Sequence, residues 1–345
     1  FSSARRTERV VEPMKRLAIG LLSGGLDSSL ALHVIKEQGV EIVALHFVTP
    51  FCQCSPKGCG SEAVGAARRL GIELKSEHLG EEYLALVRKP PHGYGSNMNP
   101  CIDCRILMFT RARELMETLG ASFVFTGEVL GERPMSQRRD SMRVIEKESG
   151  LVGRLLRPLS AKLMVPTKVE EDGTIDRERL LALSGRSRKP QMSLAREYGI
   201  NDYPCPAGGC LLTDPCFAKR VKDLVEHDTL TMDNAKLLRT GRHFRLSDTS
   251  KLIVGRNEAE NRQLESVARE GDVVLTMFPI PGPVALLRDG DKRCLEISAG
   301  ICAAHSDARQ EREVPVAWRD LGAGDTGVLN VAPMEHARLE PHRIA

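Results

Sequence analysis

Residues 17–47, LAIGLLSGGLDSSLALHVIKEQGVEIVALHF, constrain this chain more than any other stretch. An apolar run enters a Ser-Gly-Gly-Leu-Asp-Ser-Ser turn, and a helix-patterned segment leaves it. Adjacent glycines at this junction are costly unless the backbone must go where a Cβ cannot. Gly24 and Gly25 would let backbone N–H groups approach an anion closely, and the following helix would add its positive end. Ser23, Ser28 and Ser29 supply hydroxyls. Asp27 is out of place beside an anion unless it holds Mg²⁺ bridging phosphate oxygens. The turn lacks the lysine of a Walker site and the spacing of a dinucleotide fingerprint, so neither describes it. A helix start capped by serine and aspartate, with no ligand, is the plain alternative.

The flanking pattern sets the fold class. RLAIGLL (16–22), EIVALHFV (41–48), IELKSEHL (72–79) and ASFVFTGEV (121–129) read as strands. They alternate with helices over 27–39, 61–71 and 106–120, each of which ends on glycine. This alternation predicts an α/β domain with a parallel sheet, and ligands in such sheets sit at the carboxyl ends of strands. Those ends carry Ser23, His46 and Gly127. Residues 131–160 read as a charged arm with a β-ribbon, and helices follow near 177–199 and 217–227. Beyond residue 230 short strands with polar turns predict a smaller α+β domain. The stretch after about 305 carries few strong patterns. The expected division is an extension over 1–13 with Met14 as the start, a first domain over 14–230 and a second over 231–345.

SGGLDSS matches the SGGxDS signature and resembles the PP-loop pyrophosphatase family. The resemblance implies cleavage of ATP between its α and β phosphates and transfer of AMP to an acceptor oxygen. NMNPCIDCR (97–105), followed by FVFTGEVLGERPMSQ (123–137), is similar to the tRNA thiouridine synthases, as are RPLSAKL (157–163) and PCPAGGCLLT (204–213). The resemblance covers about 14–225. It implies Gly127 against the nucleotide and a second functional cysteine at Cys210.

Ten cysteines in a chain of 345 residues without a secretory signal suggest metal or redox chemistry rather than disulfides. Cys101 and Cys104 form a C-x-x-C pair, a spacing that lets two thiolates share one metal. With Cys210 they would make a three-cysteine [4Fe–4S] site, leaving one iron open to carry sulfide; this is the favoured reading. A persulfide on Cys210 resolved by Cys101 or Cys104 is the rival, and a structural zinc using Cys205 is the bland alternative. Cys52, Cys54 and Cys59 would relay sulfur, bind a second metal or be inert. His46 reads as a metal ligand, a nucleotide contact or, best, a half-buried strand histidine.

A formal charge of +3 permits a nucleic-acid partner without requiring one. Arg138 and Arg139 lie in an arginine-rich arm, and Arg186 and Arg188 follow in a second cluster. Such clusters suit RNA phosphates, although interleaved acids also fit a solvated surface. With four Tyr and one Trp, stacking platforms would be sparse. GRHFRLSDTSKLIVGRNEAENRQL (241–264), with the following GDVVLTMFPIPGP, is similar to the RNA-binding module of NFACT ribosome-quality-control proteins. That implies Arg242, Arg256 and Asn257 near RNA; a turn with a helix cap at Arg256–Asn257 is the alternative.

The combined expectation is a cytoplasmic, ATP- and Mg²⁺-dependent tRNA sulfurtransferase. Asp27, Cys101, Cys104 and Cys210 would be its reacting residues, tRNA and a sulfide or persulfide donor its partners. A dimer is compatible with it, and no membrane association is expected. The rivals are adenylation of a small-molecule acceptor, persulfide-based thiolation, and a non-catalytic RNA-binding factor.

Overall fold

The computed structural model describes residues 16–52, 60–201, 203 and 210–345. The chain divides into two units: residues 1–79, 90–95 and 100–208, and residues 80–89, 96–99 and 209–345. Helix 217–227, read with the first domain, therefore belongs to the second unit.

In chain order the first half contains β1 (Leu17–Leu21), α1 (Leu26–Lys36), β2 (Glu41–Val48), α2 (Ser61–Leu70) and β3 (Glu73–His78), then α3 (Glu81–Arg88), which falls in the second unit. There follow α4 (Cys101–Leu119), β4 (Phe123–Thr126), α5 (Arg139–Glu148), β5 (Leu155–Leu156), the short α6 (Lys168–Glu171) and α7 (Lys189–Glu197). Among the described residues, five strands of the first unit form one sheet in the order β3-β2-β1-β4-β5, every pair parallel. The expected α/β class with a parallel sheet is borne out.

β1 is apolar throughout because it is central and covered on both faces. Leu17, Ile19 and Leu21 pack with Phe109, Ala112 and Met116 of α4 and Ile145 of α5. Ala18 and the adjacent Leu22 pack with Leu30 and Val34 of α1 and Ala63 and Ala66 of α2. β3, at the edge, is polar and partly exposed, as an edge strand tolerates. Register aligns the strand ends: Leu21 pairs with Leu45 of β2 and with Thr126 of β4. The chain runs outward from β1 through β2 to β3 and returns on the other side as β4. The loops leaving β1 and β4 therefore diverge, which opens a crevice where such sheets take ligands.

The arm predicted over 131–160 is instead built around α5. Met142 and Ile145, three residues apart, are fully buried, and the charged remainder of the helix hid this narrow apolar seam.

The second unit contains α8 (Pro215–Glu226), α9 (Met232–Leu237), β6 (Arg242–Arg245), β7 (Lys251–Val254), α10 (Glu258–Ser266), β8 (Val273–Met277), β9 (Val284–Arg288), α11 (Leu295–Ala304), β10 (Val314–Asp320), β11 (Thr326–Val331) and α12 (His336–Leu339). Its described strands form an antiparallel sheet in the order β11-β10-β8-β9-β7-β6. Phe244, Leu275 and Leu287 pack against Ile301 and Cys302 of α11; Ile253, Val274 and Leu286 pack with Leu264 of α10. The β10–β11 hairpin was not anticipated after residue 305. Pro315 interrupts its alternation, yet Val314 and Val316 still point into the core.

The buried charges of this unit are paired. Asp223 of α8 accepts two hydrogen bonds from Arg245, at 2.9 and 2.7 Å, and one from Lys251 at 2.9 Å. Burial pushes the Lys251 ammonium down to about 8 despite the pull of Asp223.

Candidate active site

The turn predicted from the Gly-Gly pair lies at the carboxyl end of β1. Gly24 has φ +82°, and a Cβ there would stand 2.6 Å from Glu62 Cβ and 2.7 Å from the Ala63 nitrogen of α2. Gly127 is required for a second close approach: a Cβ would meet the backbone of Asp27 and Ser28 at 2.5 Å. Gly127, expected against a nucleotide, thus seats the end of β4 directly on the turn.

Within the turn, Ser28 Oγ and Ser29 Oγ donate to the Gly25 carbonyl at 2.9 and 3.0 Å. Ser23 Oγ lies 3.2 Å from Ser28 Oγ and accepts from the Gly25 N–H at 3.4 Å. Ser23 is exposed while Ser28 and Ser29 are buried, so Ser23 is the hydroxyl most open to an incoming group. α1 starts at Leu26 with no side chain capping it, which leaves its first N–H groups available.

Asp27, in that first turn, is half-buried, and its Oδ1 has no hydrogen-bond partner among the described residues. Desolvation pushes its carboxyl above the usual aspartate range; Arg188, its own backbone, Arg133 and Gln191 pull the other way. Glu132 is raised as well, by burial and then by the Asp27 charge, against Arg133 and Arg188. Two carboxylates, two guanidinium groups and one amide therefore share the mouth of the turn. Arg188 Nε and Gln191 Oε1 are also buried without partners among the described residues. Unsatisfied buried polar atoms are rare in folded proteins and ask for a ligand, ion or water. A hard cation on the free Asp27 and Gln191 oxygens, and phosphate oxygens on the Arg188 side, would satisfy these atoms by charge and donor type. The residues present fit a magnesium–nucleotide ligand.

His46 lies in β2, 9% exposed, with Nδ1 2.9 Å from the Leu22 carbonyl oxygen. Its Nε2 has no partner among the described residues. It is a buried strand histidine tied to the base of the turn.

Cys101 and Cys104 occupy the first turn of α4, on one helical face, and both are half-exposed. Asp103 between them is buried and held by His92, whose Nδ1 lies 2.7 Å from Asp103 Oδ1 and whose N–H donates to Oδ2 at 3.1 Å. His92 Nε2 lies 3.2 Å from Glu148 Oε1 of α5. These contacts fix the turn that carries the cysteines. Beside them Arg105 stands 3.5 Å from Glu128, the residue after Gly127, and Glu128 accepts from Arg157 Nε at 3.1 Å. Arg157, from the Arg-Pro-Leu segment, is 2% exposed and is part of the core.

Cys210 belongs to the second unit, where it precedes a 3-10 turn at Leu211–Thr213 and its carbonyl accepts from Thr213 Oγ1 at 2.6 Å. Cys54, Cys59 and Cys205 lie outside the described residues; Cys52 is half-exposed. Among the described residues, no three His, Cys, Asp or Glu side chains form a group that could hold a metal ion. The fit of a [4Fe–4S] cluster thus rests on two thiols of one turn.

Arg138 occupies the N-cap position of α5 without a side-chain cap bond and is exposed, as are Arg139, whose Nη1 donates to the Leu163 carbonyl at 3.1 Å, and Arg186. Arg188 is half-buried and faces the turn instead. In the second unit Arg256 is exposed and pairs with Glu260 through Nε at 3.0 Å, and Asn257 caps α10 by accepting from the Glu260 N–H at 3.0 Å. Asn257 therefore serves as the helix cap of the turn reading. Glu132 and Gln191 were missed from sequence. The signal was Pro190, which starts a helix with Gln191 in its first turn.

Two family models match separate stretches of the chain. Residues 15–145 match the tRNA methyl transferase HUP domain family, and residues 241–343 match the NFACT protein RNA binding domain family. A probable tRNA sulfurtransferase of Thermococcus kodakarensis is 26% identical over 150 residues, 41% of this chain and 36% of the relative. The tRNA-specific 2-thiouridylase MnmA 1 of Syntrophus aciditrophicus is 28% identical over 159 residues, 43% of this chain and 42% of that protein. The chain thus spans well under half the length of these curated relatives. Among solved structures, a 4-thiouridine synthetase in complex with RNA and ATP superposes with a TM-score of 0.37 at 21% identity, covering 64% of this chain and 53% of that one. The U34-tRNA thiolase NcsA of Methanococcus maripaludis, with its [4Fe-4S] cluster, gives 0.35 at 18% identity, covering 66% and 70%. No described helix is long and apolar enough to cross a membrane.

Proposed function

We propose, for a chain that joins a PP-loop HUP domain to an NFACT-type RNA-binding domain, that it is an ATP-dependent tRNA sulfurtransferase of the cytoplasm. One observation carries the reading above all: an unpartnered, half-buried Asp27 oxygen on a glycine turn at the carboxyl end of the central strand.

The turn binds the pyrophosphate portion of ATP through the first N–H groups of α1 and the Ser23 hydroxyl. Mg²⁺, held through Asp27, would neutralise charge on the leaving pyrophosphate. A uridine carbonyl oxygen attacks the α-phosphorus, the bond to pyrophosphate breaks, and the oxygen becomes part of an AMP leaving group. A sulfur nucleophile then adds to the same carbon and AMP departs. Without adenylation that oxygen leaves poorly, so ATP cleavage precedes sulfur entry.

Cys101 and Cys104 supply the thiols at the sulfur end. The Asp103–His92–Glu148 contacts, of which only Asp103 is buried, keep the α4 turn in place while the two thiols stay accessible. Cluster-based and persulfide-based delivery share these thiols and differ in iron content. Arg138, Arg139, Arg186 and Arg256 serve the RNA backbone, with affinity that falls as salt rises.

The test is thiolation of tRNA with a sulfur-isotope donor, read by nucleoside mass spectrometry. One AMP and one pyrophosphate should appear per thiouridine. Asp27→Asn should slow thiolation by at least about a hundredfold, since it removes charge that acts in the transition state. AMP formation that is indifferent to tRNA would move the acceptor to a small molecule. Anaerobic protein without iron and with full activity would leave the persulfide route.

A further inference from the structure

We infer that Arg188, beside Gln191 at the start of α7, forms a second wall of the nucleotide site and grips the phosphate tail beyond the α-phosphate. The inference rests on the adenylation reading and deepens it.

Placement comes first. α7 packs on α1: Ala195 joins the core cluster of Leu30 and Val34, and the Tyr198 ring lies 3.9 Å from that of His33. This packing turns the first residues of α7 toward the turn that begins α1. Pro190 starts the helix, and no side chain caps it. Gln191 is 1% exposed, and its side-chain amide lies against the Asp27 carboxylate. Its Oε1 has no partner among the described residues, nor have Asp27 Oδ1 and Arg188 Nε. Two acceptors, Asp27 Oδ1 and Gln191 Oε1, and one donor, Arg188 Nε, are thus buried around the turn without partners among the described residues, although the Gln191 amide bonds the Asp27 carboxylate. A guanidinium held near two carboxylates, those of Asp27 and Glu132, with its Nε unused, is placed for a third party.

The chemistry narrows that party. A cation bound to Asp27 brings phosphate oxygens with it, and a planar guanidinium pairs with phosphate through two parallel hydrogen bonds. Arg188 then faces the charge that Asp27 and its cation gather. The two arginines of Arg186-Ser187-Arg188 are thereby divided. Arg186 is exposed and free to meet RNA, while Arg188 is half-buried at the turn.

The experiment is calorimetric titration of the full chain with MgATP and with AMP, alongside tRNA binding at fixed salt. Arg188→Ala should weaken MgATP binding by about ten- to hundredfold, the range expected for charge-assisted hydrogen bonds. It should leave AMP, which lacks the tail, and tRNA within about twofold. Arg186→Ala should do the reverse, weakening tRNA and sparing MgATP. Arg188→Lys keeps the charge without the fork and should fall between; it also serves if the alanine variant fails to fold. Unchanged MgATP affinity in a folded variant overturns the inference and leaves adenylation standing. An equal loss for AMP overturns it too, because the residue would then support the fold or the α-phosphate. Wild-type protein that binds no MgATP removes the adenylation reading and the inference with it.

Discussion

Two aspartates, the half-buried Asp27 and the buried Asp223, are treated in opposite ways by their units. Asp223 is surrounded by its answers: Arg245 grips both oxygens and Lys251 adds a third donor. Burial opposes its ionisation, yet Arg245 and then Lys251 outweigh burial and hold the carboxyl below the usual range. Asp27 has cations in electrostatic range, but one oxygen bonds to nothing described, and burial wins. A paired buried charge belongs to the fold. An unpaired one at the mouth of a glycine turn belongs to whatever binds there.

The largest effect should fall on the paired site. Asp223→Ala would strand Lys251, which is 4% exposed, and remove the acceptor of both Arg245 hydrogen bonds. Breaking a buried pair from one side costs roughly 3–5 kcal/mol. Urea unfolding should show this loss in the transition that belongs to the second unit. A loss under about 1 kcal/mol, the size typical of exposed pairs, would mean that water already reaches the network and would dissolve the contrast.

Next comes ligand-linked stability. MgATP at about a hundred times its Kd should stabilise the wild-type first unit by about 2.7 kcal/mol. Asp27→Asn should lose nearly all of that gain, while Asp223→Asn should keep it. Equal gains in both variants would deny Asp27 its ligand role.

The pH response should separate the sites by sign. Lys251 has its folded value lowered to about 8 from 10.5, so the unfolded chain holds a proton between these limits that the native chain has released. Stability of the second unit should therefore rise with pH from about 8 to about 10.5, by up to about 1.4 kcal/mol per pH unit. Lys251→Met should abolish that slope. At the acid end Asp223, lowered in the fold, contributes stability that is lost as pH falls through the carboxylate range. Asp27, raised in the fold, has the opposite sign and regains stability as it takes up its proton.

How much of this could be read from the residues depends on the distance between partners. The turn, the strand ends at Ser23, His46 and Gly127, and the parallel sheet all follow from local pattern, because each is built within thirty or so residues of a strand–turn–helix unit. α5 was hidden because only Met142 and Ile145 reveal its buried face among charges. The pairing of Asp103 with His92 and of Glu128 with Arg157 depends on chain crossing, which local pattern does not encode. Arg188 was read with Arg186 as one RNA cluster. Two residues of spacing look equivalent in sequence, but the start of α7 turns one of them inward and leaves the other in solvent.

The smallest effect is also the most discriminating. Without nucleotide, Asp27→Asn should change stability by less than about 1 kcal/mol, because it removes a desolvated charge one of whose oxygens has no donor among the described residues, while the asparagine oxygen can still accept from Gln191. The asparagine keeps the size of the side chain, so no cavity confuses the result. Thermal and urea unfolding of the nucleotide-free protein would measure it. A structural aspartate cannot be neutral to this change, since its donors would be left unpaired. A loss comparable to that of Asp223→Ala would therefore mean that Arg188 or Gln191 already satisfies Asp27 in solution. The turn would then be a capped helix start rather than a phosphate site. Neutrality in the free protein, combined with loss of the MgATP gain, is the outcome that only a ligand-binding aspartate produces.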